Sequence, residues 1–148
     1  MFSGTIANNL RYGCLDASEE ELENAAKAAC IWDFIKDLPE KFNTLIGEHG
    51  IGLSEGKAQR IAIARALIHK TPILIFDEAT SALDNETELK ILKSIKNLNA
   101  NYTCIIITHR TAALMICTRI FKIEDKSINE ITEDFNDKNI FEARDNLA

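Results

Sequence analysis

Two adjacent carboxylates, Asp77 and Glu78, directly follow an apolar run at residues 73–76. A run without polar alternation is typical of a central strand in a parallel sheet that is covered on both faces. In such sheets ligands bind beyond the carboxyl ends of the strands, where these two carboxylates lie. Neighbouring strand residues point to opposite faces, so the two side chains are suited to different tasks. One can hold a Mg²⁺ ion while the other orients a water molecule.

The segment after the acidic pair restricts its movement. Residues 81–84 have the pattern of a short turn that ends on a helix N-cap, and residues 85–98 carry apolar side chains at helical spacing. A second uninterrupted apolar run, residues 104–107, then predicts another buried strand. Strand, helix and strand in this order predict a βαβ unit. Without this continuation, a solvated acidic turn would explain the pair equally well.

A second candidate site lies at the start of a helical pattern. Residues 61–68 are apolar almost all round, which predicts a buried helix. Ser54 supplies a hydroxyl just before this helix, and Gly56 lets a phosphate approach the N–H groups of its first turn. The helix dipole also favours an anion at this end. An ordinary serine N-cap would account for Ser54 taken alone.

The two sites together resemble one protein family. Residues 73–84, ILIFDEATSALD, resemble the Walker B segment and D-loop of ATP-binding cassette (ABC) ATPases. Residues 53–60, LSEGKAQR, resemble the signature motif LSGGQ of that family with its trailing Gln-Arg, although Glu55 and Lys57 depart from it. Lys57 brings a cation to a phosphate site but loses a directed hydrogen bond, so its two effects oppose each other. Residues 2–6, FSGTI, resemble a phrase that follows the Q-loop glutamine in ABC exporters.

The resemblance implies an α/β fold of the P-loop NTPase (ABC ATPase) type. We expect a partial parallel sheet with a helical subdomain, lacking the N-terminal Walker A portion. Residues 11–58 would form the helical subdomain with the signature motif, residues 59–131 the core, and residues 132–148 a C-terminal helix or tail. The length of 148 residues and the 46% hydrophobic content favour one domain.

The resemblance also implies a role for each candidate residue, with ATP and Mg²⁺ as cofactors. Asp77 would hold the magnesium through water, and Glu78 would be the general base that polarises the attacking water. His109, which follows the second strand, would be the switch histidine that contacts the γ-phosphate. The expected nucleotide-binding and dimer-communicating residues are Leu53, Ser54, Glu55, Gly56, Lys57 and Asp84.

The implied partners are those of a membrane exporter. A second nucleotide-binding domain would complete a dimer, and Gly47, Glu48 and His49 would contact the transmembrane domains at the cytoplasmic face of the membrane. The chain itself has no apolar run near the roughly 18 residues that a membrane span needs. Its net charge of −6 and the lack of any basic block argue against a nucleic-acid partner.

The family's phosphate loop has no counterpart in the sequence. Residues 52–58 imitate one, but a Walker A needs four residues between its glycines and Ser or Thr after its lysine, and alanine stands there instead. Whether the chain acts as an ATPase is therefore open, and by itself we expect it to bind ATP weakly and to be inactive. We consider three functions: part of an exporter's ATPase domain, a degenerate partner that lends only its signature motif, and, less favoured, a DNA-repair ATPase of the same superfamily.

Overall fold

A computed structural model describes residues 2–47, 50–97 and 102–131. The chain divides into two compact units, residues 1–107 and residues 108–148. Within the described residues, no helix is long and apolar enough to cross a membrane.

The first unit contains five α-helices and four strands among its described residues. The helices are α1 (Ile6–Arg11), α2 (Glu19–Ala28), α3 (Trp32–Lys36), α4 (Glu55–Ile68) and α5 (Asn85–Lys96). The strands are β1 (Gly4–Thr5), β2 (Leu45–Ile46), β3 (Ile73–Asp77) and β4 (Thr103–Ile107).

Helix α2 begins at the capping box that its sequence predicts. The Ser18 hydroxyl accepts a hydrogen bond from the Glu21 N–H at 3.2 Å, and the Glu21 carboxylate accepts one from the Ser18 N–H at 2.9 Å. The same carboxylate accepts a hydrogen bond from Lys70, which lies just beyond α4. This hydrogen bond is the main reason that the pKa of Glu21 falls from 4.5 to about 2. These contacts connect the start of α2 with the end of α4.

Residues 44–47 contain a strand that their sequence does not predict. The glycine-flanked pattern of residues 44–50 predicts an irregular loop, but β2 pairs antiparallel with β1, with Gly4 opposite Ile46. Ile46 is buried, and the Thr44 carbonyl accepts a hydrogen bond from the Ile6 N–H at 3.0 Å. The prediction was wrong for β2 because its pairing partner lies some 40 residues away, whereas turn signals are local. Glu48 and His49 lie outside the described residues.

Helix α4 is buried at positions on more than one of its sides, and it packs against α1 and α2. The prediction of a buried helix is confirmed at these positions, whereas Ala62, Ala66 and Leu67 stay partly exposed. The buried residues of α4 are Ile61, Ile63, Ala64 and Ile68.

Strands β3 and β4 are parallel, with Ile73 opposite Thr103 and Asp77 opposite Ile107. This arrangement, with α5 between the strands, confirms the predicted βαβ unit. Leu74 and Phe76 are buried in the main core. The apolar pattern alone predicts a sheet covered on both faces, whereas a partial sheet is expected to expose an apolar face. The described residues cover one face only, in agreement with the second expectation. Isoleucines that are 46 to 62% exposed form the other face, namely Ile73, Ile75, Ile105 and Ile107.

Asp84 is the N-cap of helix α5, as predicted. The Asp84 carboxylate accepts a hydrogen bond from the Thr87 N–H at 2.9 Å, and this bond lowers the pKa of Asp84 below its ordinary value. The cap fixes the point at which the turn after β3 joins the helix.

The second unit contains a 3₁₀-helix and a hairpin. The 3₁₀-helix spans Thr111–Ile116, and the hairpin pairs β5 (Phe121–Glu124) with β6 (Ser127–Glu130). The apolar pattern of residues 119–123 and 127–131 predicts these two last strands. The turn residues of the hairpin, Asp125 and Lys126, have φ values of 49° and 62°, the left-handed conformation that a two-residue hairpin turn needs. The predicted helix or tail at residues 132–148 lies outside the described residues.

We expect the exposed isoleucine face to drive self-association, because exposed contiguous apolar surface favours contact with other molecules. Combining Ile75→Thr with Ile105→Thr should shift the chain towards monomer in sedimentation velocity at little cost in stability, since both side chains are already exposed. Leu74→Ala on the covered face is the matched control and should instead destabilise the fold by about 2 to 5 kcal/mol. A monodisperse monomer of the unsubstituted chain at high concentration would contradict this expectation.

The Asp84 cap predicts a pH-dependent contribution to stability. Because the folded-state pKa is lowered, the contribution is fully present above the ordinary aspartate pKa of about 3.9 and is lost as the pH falls through the folded-state value. Asp84→Ala should therefore lower the thermal midpoint at pH 7, and the difference from the parent should shrink in strong acid. Asp84→Asn keeps the capping oxygen and should stay close to the parent at pH 7. An Asp84→Ala deficit that is the same at every pH would refute the role of the ionised carboxylate.

Candidate functional site

The acidic pair lies where β3 ends and the chain turns. Asp77 is the last residue of β3 and Glu78 is the next, and both are exposed. Glu78 has a φ of 45°, which is uncommon for a residue other than glycine. Its N–H donates to the Ile107 carbonyl at 2.9 Å, so the end of β4 holds this strained backbone in place. The two carboxylates therefore leave the backbone in different directions from a fixed position.

The turn after Glu78 is closed by its own hydrogen bonds. The Ser81 N–H donates to the Glu78 carbonyl at 3.1 Å, and the Leu83 N–H donates to the Thr80 carbonyl at 3.0 Å. The Leu83 side chain is buried, and Asp84 then caps α5. The acidic pair thus lies between two rigid elements, as the sequence predicts.

A buried carboxylate on α5 holds the turn from one side. Glu88 is completely buried, and its Oε1 accepts a hydrogen bond from the Thr80 hydroxyl at 2.8 Å. Burying a carboxylate is costly unless it is hydrogen-bonded, so this contact is a structural constraint on the turn. The role of Glu88 was not predicted from the sequence. A burial signal is nevertheless present there, because this charged residue shares the apolar face of α5, three and seven positions before Ile91 and Ile95.

The start of α4 has the features expected of an anion site. Ser54 occupies the N-cap position with extended backbone, but its side chain makes no capping hydrogen bond and is exposed. The simple N-cap interpretation of Ser54 therefore lacks its main contact. Leu53 is partly buried at the edge of the core, and Glu55 is exposed beside Ser54.

Gly56 serves packing as well as access to the helix N-terminus. A Cβ atom added at this position would lie 3.0 Å from the Ala82 carbonyl oxygen, closer than ordinary contact. The absent side chain therefore lets the first turn of α4 lie directly against the turn after β3. The sequence predicted the role in phosphate access but not this contact.

The Lys57 ammonium lies over the ring of Phe34, 4.0 Å from its centroid. This is a cation–π contact between the first turn of α4 and the helix α3. The charge of Lys57 is thus directed towards the helical part of the unit. The cation therefore has a structural partner, which the sequence alone did not identify.

Gln59 connects the two candidate sites. Its Nε2 donates to the Ser81 hydroxyl at 2.8 Å, and its Oε1 accepts a hydrogen bond from the Ala82 N–H at 3.0 Å. Residues 53–57 and the turn that carries Glu78 are therefore held together within the first unit. From the sequence, Gln59 is only a residue that trails the signature motif, and no role for it is predicted.

His109 belongs to the second unit and is exposed. It lies in a short turn in which the Thr108 hydroxyl accepts a hydrogen bond from the Arg110 N–H at 2.9 Å. The structure brings Asp77, Glu78 and residues 53–57 together in the first unit. The expected grouping of His109 with them stays a prediction.

The acidic pair fits a magnesium ion that takes most of its ligands from elsewhere. The described residues contain no group of three or more His, Cys, Asp or Glu side chains that could hold a metal by themselves. Mg²⁺ is commonly bound through one or two carboxylates together with waters and substrate phosphates. The exposed Asp77 matches that arrangement, with phosphates supplying the remaining ligands.

Comparisons with known proteins place this geometry in a family. The model of the ABC transporter family matches residues 3–81, more than half of the chain. The chain is 48% identical over 131 residues to an ATP-dependent lipid A-core flippase of Pseudoalteromonas translucida, covering 88% of this chain and 22% of that protein. It is 43% identical over 130 residues to the human ATP-binding cassette sub-family B member 5, covering 88% of this chain and 10% of that protein.

A solved structure gives the same result for the fold. A bacterial Atm1-family ABC exporter with ATP bound superposes with a TM-score of 0.82 at 37% identity, covering 97% of this chain and 27% of that one. The chain thus spans about a quarter or less of the length of each of these relatives. The family match, the identities and the superposition agree, and the chain therefore belongs to the ABC transporter family, with the partial P-loop NTPase-like fold of an exporter's nucleotide-binding domain.

Proposed function

We propose that this chain supplies the signature motif, the Walker B carboxylates and the switch histidine to an ABC exporter's ATPase domain. The complete domain couples ATP hydrolysis to transmembrane export. One observation carries the proposal: Gln59 and Gly56 pack the start of α4 against the turn that carries Glu78. Phosphoryl transfer depends mainly on positioning and charge neutralisation, which this rigid arrangement can provide.

Asp77 and Glu78 divide the chemical work. Asp77 would hold the magnesium through water, and the ion would supply charge neutralisation for the phosphates. Glu78 accepts a hydrogen bond from the attacking water and takes its proton as general base. The left-handed backbone at Glu78 supports this division, because it departs from the strand geometry in which Asp77 lies.

The segment of residues 53–57 acts as the phosphate contact of the domain. The exposed Ser54 hydroxyl and the N–H groups of the first turn of α4 bind the nucleotide, which sits on the phosphate loop of a second domain. Lys57 contributes its positive charge from beside the helix start, because its ammonium lies over the Phe34 ring. Asp84 lies in the loop that communicates across the dimer, at the junction with α5.

We extend the proposal to the remaining regions, on the pattern of an exporter domain. Residues 11–58 form the helical subdomain, and Gly47, Glu48 and His49 contact the transmembrane domains. Residues 59–131 form the core, in which His109 contacts the γ-phosphate. The site of action is the cytoplasmic face of the membrane.

A degenerate partner is the second candidate function. The sequence observation that favours it is the lack of a phosphate-loop pattern, since such a partner needs only residues 53–57 to complete a site on another chain. Glu78 discriminates the two functions, because a degenerate partner does not use its general base. A DNA-repair role is disfavoured by the net charge of −6.

The test is a chimera in which this chain replaces the matched segment of the Pseudoalteromonas flippase. Glu78→Gln keeps the volume but removes the base, so ATP hydrolysis should fall by about 10²- to 10⁴-fold while ATP affinity stays near that of the parent. Asp77→Asn should weaken both hydrolysis and magnesium-dependent ATP binding. Hydrolysis that survives Glu78→Gln but is abolished by His109→Ala would move the base to His109. Survival of hydrolysis in both variants would leave the degenerate partner as the better account.

A further inference from the structure

We propose that Gln59 is a positioning residue that links the signature helix to the backbone of Glu78. The inference rests on the proposed function, because it concerns the chemical step assigned to Glu78. Gln59 contacts neither of the two carboxylates directly. It acts through the turn at residues 78–82.

Both ends of the Gln59 amide are used by the same turn. The NH₂ group donates to the Ser81 hydroxyl at 2.8 Å, and the carbonyl oxygen accepts from the Ala82 N–H at 3.0 Å. The Ala82 N–H is a donor only, so the amide oxygen must face it and the orientation of the side chain is fixed. A single side chain thus holds two consecutive residues of the turn.

The contact continues to Glu78 through the backbone. The Ser81 N–H donates to the Glu78 carbonyl at 3.1 Å, and the Glu78 N–H donates to the Ile107 carbonyl at 2.9 Å. The left-handed backbone of Glu78 is therefore held by β4 on one side and by Ser81, itself bound to Gln59, on the other. Displacing Ser81 moves the carbonyl of Glu78 and with it the direction of its carboxylate.

The turn is braced unequally by its two neighbouring helices. On the side of α5, Thr80 bonds to the completely buried Glu88, an interaction that water cannot replace. On the side of α4, the two Gln59 bonds lie at the exposed surface, where water competes for them. The α4 side is thus the side that can change, and Gln59 lies five residues after Ser54.

Gly56 makes this side sensitive to what binds at the helix start. Its backbone approaches the Ala82 carbonyl so closely that an added Cβ would lie 3.0 Å from that oxygen. A phosphate that displaces the first turn of α4 therefore also displaces Ala82. Gln59 transmits the same displacement to Ser81. Gln59 thereby makes the position of Glu78 depend on occupancy at residues 53–57.

The test uses the flippase chimera with Gln59→Leu, Ser81→Ala and the double variant. Gln59→Leu should lower kcat about tenfold with KM for ATP within about twofold, because misplacement of a reacting group affects the chemical step. Ser81→Ala should act in the same direction. The double variant should lose little more than Gln59→Leu alone, because both substitutions break one contact. Lys93→Leu, an exposed change on α5, is the matched control and should leave kcat unchanged.

A second readout measures the contact itself. In the 148-residue chain by itself, outside the chimera, Gln59→Leu should accelerate hydrogen exchange of the Ala82 amide by about tenfold. The amides inside α5 should keep their protection. Unchanged kcat and unchanged Ala82 exchange in Gln59→Leu would overturn the inference, even where Glu78→Gln still abolishes hydrolysis and the proposed function stands. Hydrolysis that is insensitive to Glu78→Gln would instead overturn the proposed function, and with it the positioning role.

Discussion

The contact between the first turn of α4 and the turn after β3 is the constraint on which the site depends. Gly56 allows the two backbones to meet, and Gln59 bonds to the turn with both ends of its amide. Two candidate sites that are more than 20 residues apart in sequence are thereby coupled. Without this contact, the phosphate-binding helix start and the acidic pair would be separate features.

The same turn also shows how burial and exposure are divided between structure and chemistry. Glu88 is completely buried and accepts a hydrogen bond from the Thr80 hydroxyl. Asp77 and Glu78, in contrast, are exposed. Three carboxylates within one short stretch thus have different environments and different roles. Leu74 and Phe76 anchor β3 in the core, so the acidic pair is carried on a strand that cannot shift easily.

Much of this arrangement was predictable from the sequence, and the exceptions share a physical cause. The capping box of α2 and the N-cap at Asp84 depend on local pattern, and the parallel pair β3–β4 follows from the general rule for strand–helix–strand units. The structure confirms all three. The pairing of β1 with β2 and the contacts of Gln59 and Glu88 depend on residues distant in sequence or on packing, and these were missed. An exposed apolar face is expected of a partial sheet, but the residues that form it could not be named in advance, because an apolar strand indicates what it can bury and not what covers it.

The central claim is that the helix start at residues 53–57 binds phosphate while it is coupled to the acidic pair. A cryo-electron microscopy structure of the flippase chimera with ATP and Mg²⁺ tests it most directly. Our account predicts nucleotide phosphate within hydrogen-bond distance of the Ser54 hydroxyl, with Gln59 still bonded to Ser81 and Asp77 beside the ion. A nucleotide bound in the dimer with no phosphate near the start of α4 would contradict the account.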